Sequence, residues 1–291
     1  MTKSPIEIRF GDGTSASAFT YRVANWVALR ADRRMTWLQG YTGHNSDSAT
    51  PANPSIRLDL KHPRTARGIL ADATREIRLQ PDPDGLRMEI SGAGEYRIDA
   101  AAQSIRYLGP HSAGTDLIEE ALLGPPLLTA LAARGLWAIH ASAVQTPNGV
   151  VLIAGESGSG KSTLAARLNE RHADRVTQLA DDLIHLRAGQ GNIMAAPAYP
   201  QLRLPPHTQS PAPDAVVESV IVLEPAPGKA APTAQALRGR EKLQALLANT
   251  VAARAFPPAL AAAHLEASRE MGARLAMHHV LYPHTADSLA R

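Results

Sequence analysis

The apolar, β-branched run Val150–Ala154 leads into Gly155-Glu156-Ser157-Gly158-Ser159-Gly160-Lys161-Ser162, and from there through Thr163 into a helical pattern ending near His172. The order G-x-x-x-x-G-K-S, with a strand before it and a helix after it, is the arrangement that cradles phosphate. Glycines let the backbone curl so that successive N–H groups point inward, and the following helix adds its positive N-terminal end. Lys161 would reach the β- and γ-phosphates, and the Ser162 hydroxyl would ligate Mg²⁺. Gly155 to Thr163 are therefore the candidate nucleotide-binding residues, with ATP and Mg²⁺ as the implied cofactors. The loop alone does not say what receives the phosphate.

Phosphoryl transfer needs a carboxylate near the metal and, for a hydroxyl acceptor, a base. Asp181 and Asp182 end the predicted strand Val176–Ala180, the first strand after the loop helix. In a parallel sheet that strand end lies beside the loop, at the edge where ligands bind. Two adjacent carboxylates there can diverge, one to the metal and one to the acceptor; the plainer alternative is a helix cap or a solvated turn. His140 lies on the strand before the hairpin that feeds the loop, where a lone histidine is ordinarily structural. Arg203, in the proline-rich stretch Pro197–Pro206, could hold a substrate phosphate with its fork of donors or simply cap a carbonyl. His278, His279 and His284 lack the spacing that places two ligands on one helix face, so no metal site is expected from them.

Positioning these groups calls for an α/β domain. A helix at 114–134 is expected to kink or split at Pro125-Pro126. A strand is expected from Trp137 to Val144, then a hairpin turn at Pro147-Asn148-Gly149, the loop strand, the loop helix, a strand at Val216–Leu223, helices near 239–253 and 258–276, and an edge strand at His278–Tyr282. Upstream, apolar and charged residues alternate in Ile6–Phe10, Ile56–Leu60, Ile77–Leu79, Leu86–Ile90, Tyr96–Ile98 and Ile105–Tyr107. Such alternation predicts half-buried antiparallel strands. The expected layout is a β-rich N-terminal domain over 1–112, with a long polar loop at 42–54, and a catalytic domain over 113–291.

Composition narrows the function classes. The chain has 291 residues and no cysteine, which excludes disulfides, thiolate metal sites and thiol nucleophiles. A net charge of +3 is too slight to argue for nucleic acid. There is no apolar signal region at the N-terminus and no run of about 18 uninterrupted apolar residues, so no membrane association and a cytoplasmic location are expected.

His140-Ala-Ser-Ala-Val, then the loop Gly155–Ser162, then Ala180-Asp181-Asp182 together resemble the catalytic domain of the HPr serine kinase/phosphorylase family, which carries a histidine ahead of a G-D-S-G-x-G-K-S loop and a downstream A-D-D. The resemblance covers about residues 135–225. It implies a P-loop kinase fold similar to phosphoenolpyruvate carboxykinase, Asp181 as the base that takes the acceptor proton, Asp182 supporting the metal or acceptor, and His140 against the transferring phosphate. Family members are often oligomers, so a homo-oligomer is a further expectation. The family's E-x-R-G-x-G signature has no counterpart; Pro200-Gln-Leu-Arg203-Leu-Pro stands in its place, so neither phosphorylase action nor HPr as acceptor is expected. That stretch and the β-rich N-terminal half look more like the homologues found beside ribosomal-peptide gene clusters, some of which phosphorylate a serine of a lasso-peptide precursor. The resulting expectation is a serine kinase acting on a peptide or small protein. The alternatives are a small-molecule hydroxyl kinase and a nucleotide-dependent regulatory binding protein.

Overall fold

The computed structural model describes residues 5–11, 19–23, 27–41, 56–70, 73–109, 114–196, 199, 214–226 and 231–283. The polar stretch 42–54, Arg203 and His284 lie outside them. The protein is a mixed α/β molecule with two sheets. Of the described residues, those up to Trp137 and those of Ala252–His264 form one compact unit, and the rest form a second.

In the first unit, β1 (Ile6–Phe10), β2 (Phe19–Val23), β3 (Val27–Ala31), β4 (Arg64–Leu70), β5 (Ala73–Asp82), β6 (Gly85–Ile90), β7 (Gly94–Asp99) and β8 (Ser104–Tyr107) form one sheet in the order β2-β3-β1-β8-β7-β6-β5-β4. From β8 to β4 it is an antiparallel meander, while β1 runs parallel to both β3 and β8. The alternation in the sequence becomes the two faces of this sheet: Ile77, Leu79, Met88, Tyr96, Ile98, Ile105 and Tyr107 are all buried, with charged residues between them. Ile56–Leu60 is extended but joins no ladder among the described residues. Its alternate amides bond instead to the Ala133 carbonyl (2.8 Å) and the Ala100 carbonyl (2.9 Å), while Leu58 and Leu60 are buried. An alternating pattern marks a half-buried extended segment whether or not a neighbouring strand is there to pair with it.

The helical stretch is divided into α1 (Thr115–Leu123) and α2 (Pro125–Ala133), as two prolines after Gly124 require. Every residue of α2 is buried. Tyr96 on β7 donates its hydroxyl to the Ile118 carbonyl of α1 at 3.0 Å, tying the helix to the sheet.

After β9 (Trp137–Ile139), the second unit contains β10 (Ala141–Thr146), β11 (Gly149–Ala154), α3 (Lys161–Arg171), β12 (Thr177–Ala180), β13 (Ile184–Ala188), β14 (Ile193–Ala196), β15 (Ala215–Pro225), β16 (Thr233–Ala236), α4 (Gly239–Asn249) and β17 (Ala276–Tyr282), with α5 (Pro258–Arg274) running into it from the first. The sheet follows the path β12-β10-β11-β15-β14-β13-β9, and β17 pairs with β15 and β16. Two expectations change here. The strand expected over Trp137–Val144 is interrupted at His140, whose amide bonds to the Asn249 carbonyl at 2.8 Å instead of continuing a ladder. The last strand is not an edge, because the short β16 pairs along its outer side from Thr233–Leu281 to Ala236–His278. Val144, Ile153, Ala165, Leu223 and Tyr282 form a buried cluster that seats α3 on the sheet.

Candidate active site

Strand direction assembles the site. β11 runs parallel to β15, and β15 parallel to β17, so these three strands end on one edge of the sheet. β10 is antiparallel to β11, and β12 is antiparallel to β10. β12 therefore points the same way as β11, and its end at Asp181-Asp182 arrives at the edge where β11 ends at Gly155. The sheet is mixed rather than parallel, and the aspartate strand and the loop strand are not neighbours. The antiparallel β10 stands between them and brings its own start, beside His140, to the same edge.

The loop itself is tightly specified. Gly155 has φ +142°, and a Cβ there would strike the Leu223 carbonyl oxygen on β15. Gly160, at the N-cap of α3, has φ +79°, the left-handed conformation that glycine adopts without strain. Glu156, Ser157 and Gly158 form an exposed tip, and Ser159 is buried. Tyr282, at the end of β17, donates its hydroxyl to the Ser159 carbonyl at 3.0 Å and so holds the loop from below. Lys161 is only 6% exposed; its Nζ donates to the carbonyls of Gly155 (2.9 Å) and Glu156 (2.8 Å). Ser162 and Thr163 are exposed on the first turn of α3.

Five more side chains are joined in two sets by direct hydrogen bonds. His140 Nδ1 lies 3.2 Å from the Asp182 carboxylate and 3.0 Å from its carbonyl oxygen. Both partners are acceptors, so Nδ1 carries a proton and Nε2 is the ring nitrogen left for another partner. Ser142 Oγ donates to Asp181 Oδ1 at 3.1 Å, and Gln178 Nε2 donates to the same oxygen at 3.3 Å. Two donors on one carboxylate oxygen fix the plane of the Asp181 side chain.

Asn249, the last residue of α4, connects this group to the loop. Its Oδ1 accepts the Gly155 amide at 3.2 Å, its Nδ2 donates to the Ala245 carbonyl of its own helix at 2.8 Å, and its carbonyl accepts the His140 amide. Sequence reasoning passed over Ser142, Gln178, Asn249 and Tyr282. Ser142 was findable, since it lies two residues after His140 and so on the same side of an extended chain. Asn249 and Tyr282 carry no local signal at all.

Of the expected site residues, Gly155–Thr163, His140, Asp181 and Asp182 are therefore gathered at one sheet edge, and Arg203 lies outside the described residues. The residues present fit a nucleotide with its metal: the buried hydroxyl of Ser159 has no partner among the described residues, and α3 begins at Lys161, so the positive end of the helix lies at the loop. No group of three or more His, Asp or Glu side chains that could hold a metal occurs among the described residues. His279 is engaged with Glu224 at 2.8 Å. Among the described residues no helix is long and apolar enough to cross a membrane.

No family model and no curated protein matches the chain. Among solved structures the chain is similar to the Hpr(Ser) kinase/phosphatase from Coxiella burnetii, at 14% identity over 50% of this chain and 85% of that one, with a TM-score of 0.27. A likeness of that depth carries nothing about activity or substrate to this chain.

Proposed function

We propose that the protein is a Mg²⁺-dependent kinase that transfers the γ-phosphoryl group of ATP to a hydroxyl, the acceptor being a serine of a peptide or small protein. The observation that carries this reading is the convergence at one sheet edge of a strand–glycine loop–helix unit with a buried lysine and an oriented pair of aspartates. A pure nucleotide binder would need the loop but not Asp181 held by two donors.

ATP supplies the phosphoryl group and Mg²⁺ neutralises its charge; the chain's residues bind, orient and move one proton. The loop amides and Lys161 hold the phosphate oxygens, and phosphate would take over the ammonium now turned to the Gly155 and Glu156 carbonyls. Ser162 and Asp182 would hold the metal. Asp181 receives the hydroxyl proton as the new O–P bond forms and the bond to the leaving ADP oxygen breaks. His140, fixed by Asp182, presents Nε2 to the phosphate region. Positioning and electrostatics supply most of the rate. The finer reading, a serine on a ribosomal-peptide precursor of the lasso type, is supported by the resemblance around Pro200–Pro205.

The experiment is incubation with Mg²⁺, γ-labelled ATP and, in turn, a serine-ended peptide from the neighbouring genes, HPr and no acceptor, read by intact mass. One added phosphate on the peptide alone is expected. Lys161→Ala should fold normally and lose transfer by about a hundredfold or more. Comparable transfer by a folded K161A protein would defeat the assignment.

A further inference from the structure

Strand β4 forms one edge of the first unit's sheet, and among the described residues β5 is its only strand partner. Edge strands expose a row of main-chain N–H and C=O groups, and proteins commonly shorten, bulge or cover them. β4 has seven residues and pairs with β5 in unbroken register from Arg64–Leu79 to Leu70–Ala73, so its outer side is a regular row. An open groove of about 500 Å³ runs beside it, lined by Arg64, Thr65, Ala66, Arg67 and Arg254, with no acidic residue among the described ones.

The three arginines are not equivalent. Arg64 donates to the Phe256 carbonyl at 2.9 Å and serves the fold. Arg67 and Arg254 are exposed and form no ion pair among the described residues. Glu76 lies opposite Arg67 in the register, but its carboxylate is bonded to Arg78 at 2.6 Å. Ile69, on the same face as Arg67, is 71% exposed. Like charges disfavour a second copy of β4 here, and an acidic chain meets both the open ladder and the unpaired guanidinium groups.

We propose that the open edge of β4 docks an extended acidic peptide segment, which adds a strand to the sheet and sets carboxylates against Arg67 and Arg254. The proposal rests on the peptide-acceptor reading in one respect: the docked segment belongs to the substrate, away from its phosphorylated serine. Docking is read without nucleotide, so the two can fail separately.

A fluorescein-labelled peptide alternating Glu and Val, matched to β4 in length, is titrated with the full-length protein at low salt and followed by anisotropy. Saturable binding is expected, weakened about tenfold by Arg67→Glu with Arg254→Glu and severalfold by the milder Arg254→Ala. A Lys-for-Glu peptide should bind the double variant and not the wild type. Methylating alternate peptide nitrogens should abolish binding, because strand addition depends on main-chain N–H groups. Equal binding by wild type and folded variants, persistence after methylation, or equally tight binding of a single-stranded oligonucleotide of the same charge would each overturn the proposal. Phosphate transfer without docking would leave only the kinase reading standing, and docking without transfer only the docking.

Discussion

Ser142 has no place in phosphoryl chemistry, yet it donates to the carboxylate proposed as the base. Ser142→Ala would leave Gln178 as the remaining side-chain donor on Asp181 Oδ1 among the bonds described above. The expected result is a fall in kcat of severalfold with little change in KM for ATP, whereas Asp181→Asn should remove most of the turnover. Asn249 acts on the loop instead. Asn249→Ala strands the Gly155 amide, a loss of about 1 kcal/mol, and should appear mainly as a raised KM for ATP. Asn249→Asp restores the acceptor but sets a negative charge against the phosphates, so its KM should also rise. A variant series with unchanged KM would show that the loop keeps its shape without Asn249.

At the scale of elements, Glu119 shows how a helix residue builds a neighbouring turn. It is fully buried on α1, and its Oε2 accepts the amides of Thr36 (2.7 Å) and Trp37 (3.3 Å) at the start of the 3₁₀ turn Thr36–Tyr41. Burial pushes its carboxyl up, and the two amides pull it back. Glu119→Ala would orphan both amides, so destabilisation of about 1–3 kcal/mol is expected, with faster hydrogen exchange at Trp37. Unchanged melting would mean that water satisfies the turn. Local chemistry in the sequence was enough for other elements: the split at Pro125, the hairpin at Asn148-Gly149 and the loop before α3 each follow from residue types at fixed offsets. The break at His140 did not, because the Asn249 carbonyl that draws its amide off the ladder is supplied from far along the chain.

For the whole molecule, two buried histidines favour unfolding in acid. His185 on β13 is fully buried against the Tyr199 ring (centroids 4.7 Å apart), neither ring nitrogen has a hydrogen-bond partner among the described residues, and burial lowers its pKa from 6.5 to about 3. His264 on α5 is also held low by burial. A histidine depressed in the fold takes up a proton on unfolding. Its neutral form therefore favours the native state fully above about pH 6.5, and that stability drains away as the pH falls toward 3. Melting temperature should drop steadily below pH 6.5, and His185→Phe should flatten that limb; an unchanged slope in the variant would place the acid sensitivity elsewhere. By itself the sequence determined the glycine-rich turn between β11 and α3 and the alternation of the strands in the first sheet, and it singled out His140, Asp181 and Asp182 as candidates, because glycine geometry, side-chain periodicity and charge are properties of a few consecutive residues. Only the tertiary structure decided that β10 separates the two site strands, that β16 covers the last one, and that Ser142, Asn249 and Tyr282 serve the site. Strand order and long-range hydrogen bonds depend on which distant segments bury their apolar faces together, and no local run of residues records that choice.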